Sequence, residues 1–445
     1  MKKISHRYAG LAFLLVILLL TCACGVPASS SAPDNSTSAN GAPVDGATSD
    51  APAAQTPENE VPAAASSGDI LTLWTQEQNR LSAFDENGFY YLSTEKHLEG
   101  AENIKYIDFA TRQETFLCAN PNCTHDTEAC TSYFVTENGA CEVFLGYGHL
   151  FLLNNSGVEQ NVIKMCDQDS SNARTLLALG DSQQLGGNFF AVDRDHCYFI
   201  ISSAVQQGSD MRYQQSLHAV DIHTGEQREI CELGNTDFCM GSCGQYFLMR
   251  RLDMENEIIT EYAIDLQGQP TDALHLPPPW KAFTKFLKYT NDGIIYDIDF
   301  GESCTITALD IVNGGQRTVV ENYPANSSWD SWFGAPTCNY MPTLSCPDMP
   351  DGSRRNDFYL LDLETGAYVD MAPAFIYEDG GRPQLISGQA ETGDYILVRT
   401  GFEDVPTWAQ GIGFGDTRTP IFALISKADY WAGNPNYITI TDIDA

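Results

Sequence analysis

Residues 116–134 read FLCANPNCTHDTEACTSYF, and four side chains in that run could do chemistry together: Cys118, Cys123, His125 and Cys130, spaced Cys-x4-Cys-x-His-x4-Cys, with Cys141 eleven residues further on. Three thiolates and an imidazole are the ligand set of a structural zinc site. Asn120, Pro121 and Asn122 suit a sharp reversal between the first two ligands. The two-residue interval usual between zinc cysteines is absent, and His125 stands so near Cys123 that only an extended or tight-turn backbone aims both at one ion. Disulfides are the stronger expectation. Of 14 cysteines, 12 remain once Cys22 and Cys24 are set aside with the N-terminal segment, an even number that favours pairing outside the cytoplasm. Cys239 with Cys243 and Cys338 with Cys346 are close pairs expected in loops between strands. Free thiols are the third reading. A Cys-His nucleophile is the fourth, but it needs a preserved thiolate beside an oriented imidazole, and three neighbouring thiols favour oxidation instead. The run is therefore a disulfide or metal cluster, with the metal undetermined and zinc the ion its donors suit.

Nothing else in the chain has a comparable spacing of reactive groups. Gly-x-Ser-x-Gly, His-Glu-x-x-His and phosphate-cradling glycine loops do not occur. The eight histidines are dispersed, and none is grouped with a nucleophile. In "YDIDFGES", Asp297 and Asp299 share a strand face with Glu302 nearby. The twelve-residue calcium loop is missing, so a solvated edge is expected there and calcium is not. Aromatic side chains offer a binding lead. Trp329, Trp332 and Phe333 crowd one loop, and Trp408 and Phe414 stand in a glycine-rich insertion. Aromatic planes suit sugars and peptide side chains, although tryptophans also fill the seams of repeat folds.

These residues must be positioned by a repeat. One unit recurs from residue 69 onward: a short aromatic or β-branched strand, a variable loop, a strand ending in Asp, a tight turn often written Thr-Gly or Asn-Gly, and a further strand. Its copies include "IKYIDFATRQETFL", "SLHAVDIHTGEQREICEL", "ITALDIVNGGQRTVV" and "FYLLDLETGAYVDM". The aspartates are Asp108, Asp167, Asp221, Asp265, Asp310 and Asp362, with Ser426 in a weaker last copy. An Asp opening a turn accepts backbone N–H bonds, so these six are turn makers and not catalytic acids. Seven units of three or four short strands, with no long amphipathic helix between them, predict an all-β chain folded as a seven-bladed β-propeller, six or eight blades if one boundary is misplaced. The strand around "ILTLW" is expected to pair with the last blade and hide its edge. The units resemble the blades of TolB-like propellers found on bacterial surface lipoproteins. The loop carrying Cys118, Cys123, His125 and Cys130 resembles one in uncharacterised propeller lipoproteins of Gram-positive anaerobes. That resemblance implies the fold and carries no activity.

The N-terminus supplies an address. Lys2, Lys3 and Arg7 precede the apolar run Leu11 to Leu20, which is too short to span a bilayer with normal flanks. Ala23-Cys24-Gly25 after it resembles a lipobox, which implies cleavage before Cys24 and lipidation of its thiol. Thr21, where a leucine is usual, departs from the pattern. Residues 1–23 are thus the expected signal, and 24–68 the lipidated cysteine with an Ala/Ser/Pro/Thr tether too polar to fold. Residues 69–445 form the propeller. With 24 basic and 59 acidic residues the net charge is −35, and loss of Lys2, Lys3 and Arg7 takes it to −38. Phosphate backbones and anionic headgroups repel such a body, so nucleic acid is excluded as a partner and membrane contact falls to the lipid. The expected protein is lipid-anchored on the outer side of the cell membrane and binds or scaffolds a glycan, peptide or protein. The alternative is an extracellular hydrolase or lyase with its site at the propeller axis.

Overall fold

Alternation of buried and exposed residues builds the sheets. In His149–Asn154 all but the first residue is buried, and in Val162–Asp167 Ile163, Met165 and Cys166 are buried among partly buried neighbours, as strands covered by neighbouring sheets require. The structure, a computed structural model, describes residues 69–444 other than 76–82, 94, 96–100, 136–140, 155–160, 181, 208–209, 326–330, 334–338, 348, 350–354, 372–374, 380–381, 387 and 404–418. The described strands form seven blades, at residues 83–116, 141–178, 183–233, 237–271, 285–323, 331–370 and 388–439. The seven units expected are the seven observed. Within a blade the strands follow chain order outward from the axis. The first two strands and the last two are joined on one side, here the turn face; the second and third, and successive blades, are joined on the other, the crossover face.

The repeated aspartates do what their position requires. Asp221 Oδ1 accepts from the N–H groups of His223 and Thr224 at 2.8 Å each, and Asp310 and Asp362 repeat the pattern. In the last blade Ser426 instead caps the short helix Lys427–Ala432, accepting from Asp429 N–H at 3.0 Å. Gly366 shows why the turn ends in glycine. Its φ is +73°, and a Cβ there would lie 1.9 Å from the Val319 carbonyl oxygen of the preceding blade.

That contact belongs to a repeated latch. An arginine near the start of an outer strand donates to the carbonyl just after the next blade's turn aspartate: Arg174 to Ile222, Arg228 to Leu266 at 3.2 Å, and Arg317 to Leu363 at 2.7 Å. Where the fourth blade lacks the arginine, His275 N–H donates to the equivalent carbonyl of Ile311 at 2.8 Å.

The strand Leu71–Trp74 does not pair with the last blade. It runs antiparallel to the innermost strand of the third blade, so it occupies the axis. Its side chains decide this. Leu73 and Trp74 pack among Phe144, Phe190 and Val192 of the second and third blades, while Ile70 joins Phe189, Phe247 and Met249 of the third and fourth. The fifth blade completes the grip: Asn291 accepts from Thr72 N–H and donates to its carbonyl, both at 3.0 Å. Ser242 donates to Ile70 O at 2.8 Å, and Tyr147 OH donates to Asp69 O. Ring closure falls to the C-terminus, where Thr441–Asp442 lies parallel to Gln113–Phe116 as the outermost strand of the first blade.

Asn291→Ala removes two backbone pairings at once, and a loss of ~1–3 kcal/mol is expected in the denaturant midpoint with the slope unchanged. An unaltered midpoint would show that packing alone holds the axial strand. At the seam of the first two blades, burial and the nearby Glu142 push Glu102 up to about 7, and its Oε2 is buried without a hydrogen-bond partner. A carboxyl raised on folding stabilises fully below its unfolded value near 4.5, and that contribution is lost as pH rises through about 7. Glu102→Gln is therefore expected to raise the melting temperature at pH 8 by several degrees, with the gain vanishing by pH 4; a pH-independent effect would contradict the assignment.

Candidate metal centre

The four residues of the cysteine-histidine run come together. They lie in the connection from Gln113–Phe116, the outer strand of the first blade, to Tyr133–Val135, which turns back to pair with Ala101, Glu102 and Asn103. Asn122 and His125 adopt left-handed backbone, with φ of 59° and 60°, and this resolves the crowding between Cys123 and His125. One ligand atom from each of Cys118, Cys123, His125 and Cys130 lies within 4.8 Å of the other three. His125 Nδ1 is 3.4 Å from Cys130 Sγ.

Local hydrogen bonds prepare the sulfurs for negative charge. Cys118 Sγ accepts from Asn120 N–H and Cys123 Sγ from His125 N–H, each at 3.4 Å. Cys130, 3% exposed, faces Ser132 Oγ at 3.0 Å. Burial raises the Cys118 thiol, but hydrogen bonds from Asn120 and Thr131 outweigh this and lower it overall. Burial pushes Cys130 up to about 11 despite Ser132. The thiol His125 reaches is thus the buried one, poorly placed to attack a substrate. The loop is tied down by Asn120 Nδ2 donating to Ala129 O at 2.7 Å, and by Ser170 of the second blade donating to Leu117 O at 2.7 Å.

Beneath the loop stands a cluster that no motif announced. Lys105 is fully buried and donates to Glu95 at 2.7 Å, Glu114 at 2.8 Å and Asp442 at 2.6 Å. Burial disfavours its charge, yet the carboxylates hold the ammonium above its usual range. Tyr91 OH donates to Glu114 at 2.5 Å. The Phe116 ring connects the two groups, stacking on His125 with centroids 4.6 Å apart and lying 4.9 Å from Lys105 Nζ. Its N–H donates to Asp444 at 2.7 Å.

The expected disulfides do not form among the described cysteines. Cys118, Cys123, Cys130, Cys239 and Cys243 are all free. Cys239 and Cys243 lie in one strand, Asp237–Cys243, and not in a loop. Four residues of extended chain separate their Cα atoms by ~13 Å, about twice the reach of a bridge, and each thiol packs as a small apolar group in a different core cluster. Asp297, expected on a solvated edge, is instead largely buried and pairs with Lys285 at 2.7 Å. Cys24, Trp329, Cys338, Trp408 and Phe414 lie outside the described residues. Trp332 and Phe333 belong to Ser331–Phe333, of which only the backbone pairing is described.

No family model matches the chain, and no curated protein does. Among solved structures it is similar to oligogalacturonate lyase from Vibrio parahaemolyticus, at 11% identity and a TM-score of 0.51 over 81% of this chain and 92% of that one. Oligogalacturonate lyase in complex with manganese follows at 11% identity and 0.47 over 81% and 91%, and TolB from Acinetobacter baumannii at 12% and 0.32 over 79% and 77%. At these identities the first likeness shows the propeller fold and leaves chemistry open.

Lys105→Met would leave Glu95, Glu114 and Asp442 gathered without their cation. A loss of ~3–5 kcal/mol is expected on thermal or chemical unfolding, against a smaller loss for Asp442→Asn, which removes one of three acceptors. Equal losses would place the clamp's strength in the tail contact alone.

Proposed function

We propose that this chain is a lipoprotein held at the outer face of the cell membrane through Cys24, with residues 26–67 as a tether and the propeller as a binding module for a glycan, peptide or protein. The observation that carries the reading is where the folded unit begins. Asp69 and Ile70 are held by Tyr147 and Gly244, in turns between first and second strands, so the chain enters on the turn face. The crossover face lies opposite that attachment. The connection bearing Cys118, Cys123, His125 and Cys130 is on it, and the strands Gly315–Tyr323 and Tyr395–Glu403, which precede the aromatic segments, end there.

The axial strand speaks for binding over catalysis at the axis. Propeller enzymes with an axial site need that space for substrate, and here Leu71–Trp74 is packed against the innermost strands of the second, third and fourth blades. The hydrogen bonds that hold Asp69, Ile70 and Thr72 make it part of the fold.

Two experiments test this. Cys24→Ser is expected to move the protein from the membrane fraction to the medium; retention at the membrane would refute anchoring through this thiol. Glycan and peptide arrays probed with the full chain are expected to give binding that the triple variant Trp329→Ala, Trp332→Ala, Trp408→Ala weakens by tenfold or more, about 1.4 kcal/mol. Binding unaffected by that variant would move the interface away from the aromatic segments, and turnover of an arrayed substrate would favour the enzymatic alternative.

A further inference from the structure

We propose that Cys118, Cys123, His125 and Cys130 bind one Zn2+ ion per chain, and that the loaded centre holds the C-terminal tail on the first blade. The geometry is that of a tetrahedral thiolate centre before its ligands draw in. A zinc-sulfur distance of about 2.3 Å sets neighbouring sulfurs ~3.8 Å apart, and these four donors already lie within 4.8 Å of one another. A disulfide would need one sulfur pair at about 2.05 Å, and all three thiols are free. Soft sulfur and imidazole donors select zinc over calcium, magnesium or manganese, which prefer oxygen. Four protein ligands leave no open position, so the role is structural.

Three further features point to an ion. The N–H groups of Asn120 and His125 aim at the sulfurs two residues before them, which stabilises thiolates. Behind Cys130 stand Ser132 at 3.0 Å and Asn103 Nδ2 at 3.8 Å, and Asn103 Nδ2 also donates to Ser132 at 3.0 Å; these supporting bonds fix a ligand's direction. The loop between ligands is closed by Ala119 N–H donating to Thr131 Oγ1 at 3.0 Å and by Asn120 donating to Ala129 O. On binding, each of three thiols releases its proton to solvent, and no electrons move.

Coupling to the tail runs through Phe116. A metal-bound His125 keeps its ring stacked on Phe116, and Phe116 N–H and Thr115 Oγ1 both donate to Asp444, at 2.7 and 2.5 Å. Ile443 N–H donates to Glu114 O at 3.0 Å just beside them. The last residues of the chain are therefore anchored against the wall that the centre would stiffen.

The test uses the full chain purified anaerobically, without reductant and without chelator. Elemental analysis is expected to give about one zinc per chain, falling to near zero in Cys123→Ser and in His125→Ala and unchanged in Cys346→Ser. To separate metal loss from failure of a ligand variant to fold, wild-type protein stripped and reloaded with Co2+ supplies the second arm, and the strong visible absorption of tetrahedral thiolate cobalt is expected. Stripping is expected to speed amide exchange at residues 441–444 at least tenfold and to leave the fourth blade unchanged. Metal-free protein with free thiols, or a native mass lowered by two hydrogens per cysteine pair, would overturn the site. Zinc without any change in exchange at the tail would overturn the coupling.

Discussion

Lys105 pins to the first blade the C-terminal strand that closes the ring, at a junction blade order alone does not make. Six of the seven seams join blades that follow one another in sequence, so forming one blade brings the next within reach. The seam between the last blade and the first joins residues more than 300 positions apart: Lys105 to Asp442 across 337, Thr115 to Asp444 across 329, and Thr392 to Glu86 across 306. Closing so long a loop costs entropy that only the last contacts recover. A buried ammonium with three carboxylates suits that place because it rewards complete assembly. Remove one partner and the rest are left charged and dry.

The two ends of the folded unit solve different versions of the edge problem. The axial strand pairs with the inner edge of one blade and covers its unsatisfied backbone, while Asn291 imitates a further strand with one side chain. The C-terminal strand covers an outer edge. Sheets left open at either position would offer templates for pairing with other chains. Between the ends, arginine latches at three seams do the quieter work of fixing one blade's angle to the next, since a guanidinium on a carbonyl is directional where packed apolar side chains are not.

Much of this was written in the chain. The period of turn aspartates reveals seven units because the turn demands a local acceptor and local demands survive in sequence. The arginine latch was also visible, in "NART", "EQRE" and "GQRT" at one position after the turn, but its partner is a backbone carbonyl of the next blade, which no side chain announces. Lys105 left a fainter trace. In "NIKYID" it shares a strand face with Asn103 and Ile107, an inward position where lysine is unexpected. The destination of "ILTLW" was not legible, because an apolar strand fits any exposed edge and only the packing of Trp74 and Ile70 chooses among seven. Cysteine parity misled for a related reason: a count cannot distinguish a thiol in a loop from one used as a small apolar group inside a strand.

The position of the cysteine-histidine loop follows from the same constraint as the clamp. Among the described residues the first blade alone accepts a strand from the C-terminal end, and its outer strand, Gln113–Phe116, is four residues long. So short an edge presents few backbone groups for pairing, and the parallel strand laid on it engages only Gln113 and Glu114. Everything beyond must come from side chains and from the connection that follows. The connection is tied to itself through Asn120 and Ala129 and to the second blade through Ser170, and its histidine stacks on Phe116. A buried lysine beneath the strand and a converging set of soft donors above it thus flank the edge that takes a strand from the C-terminal end.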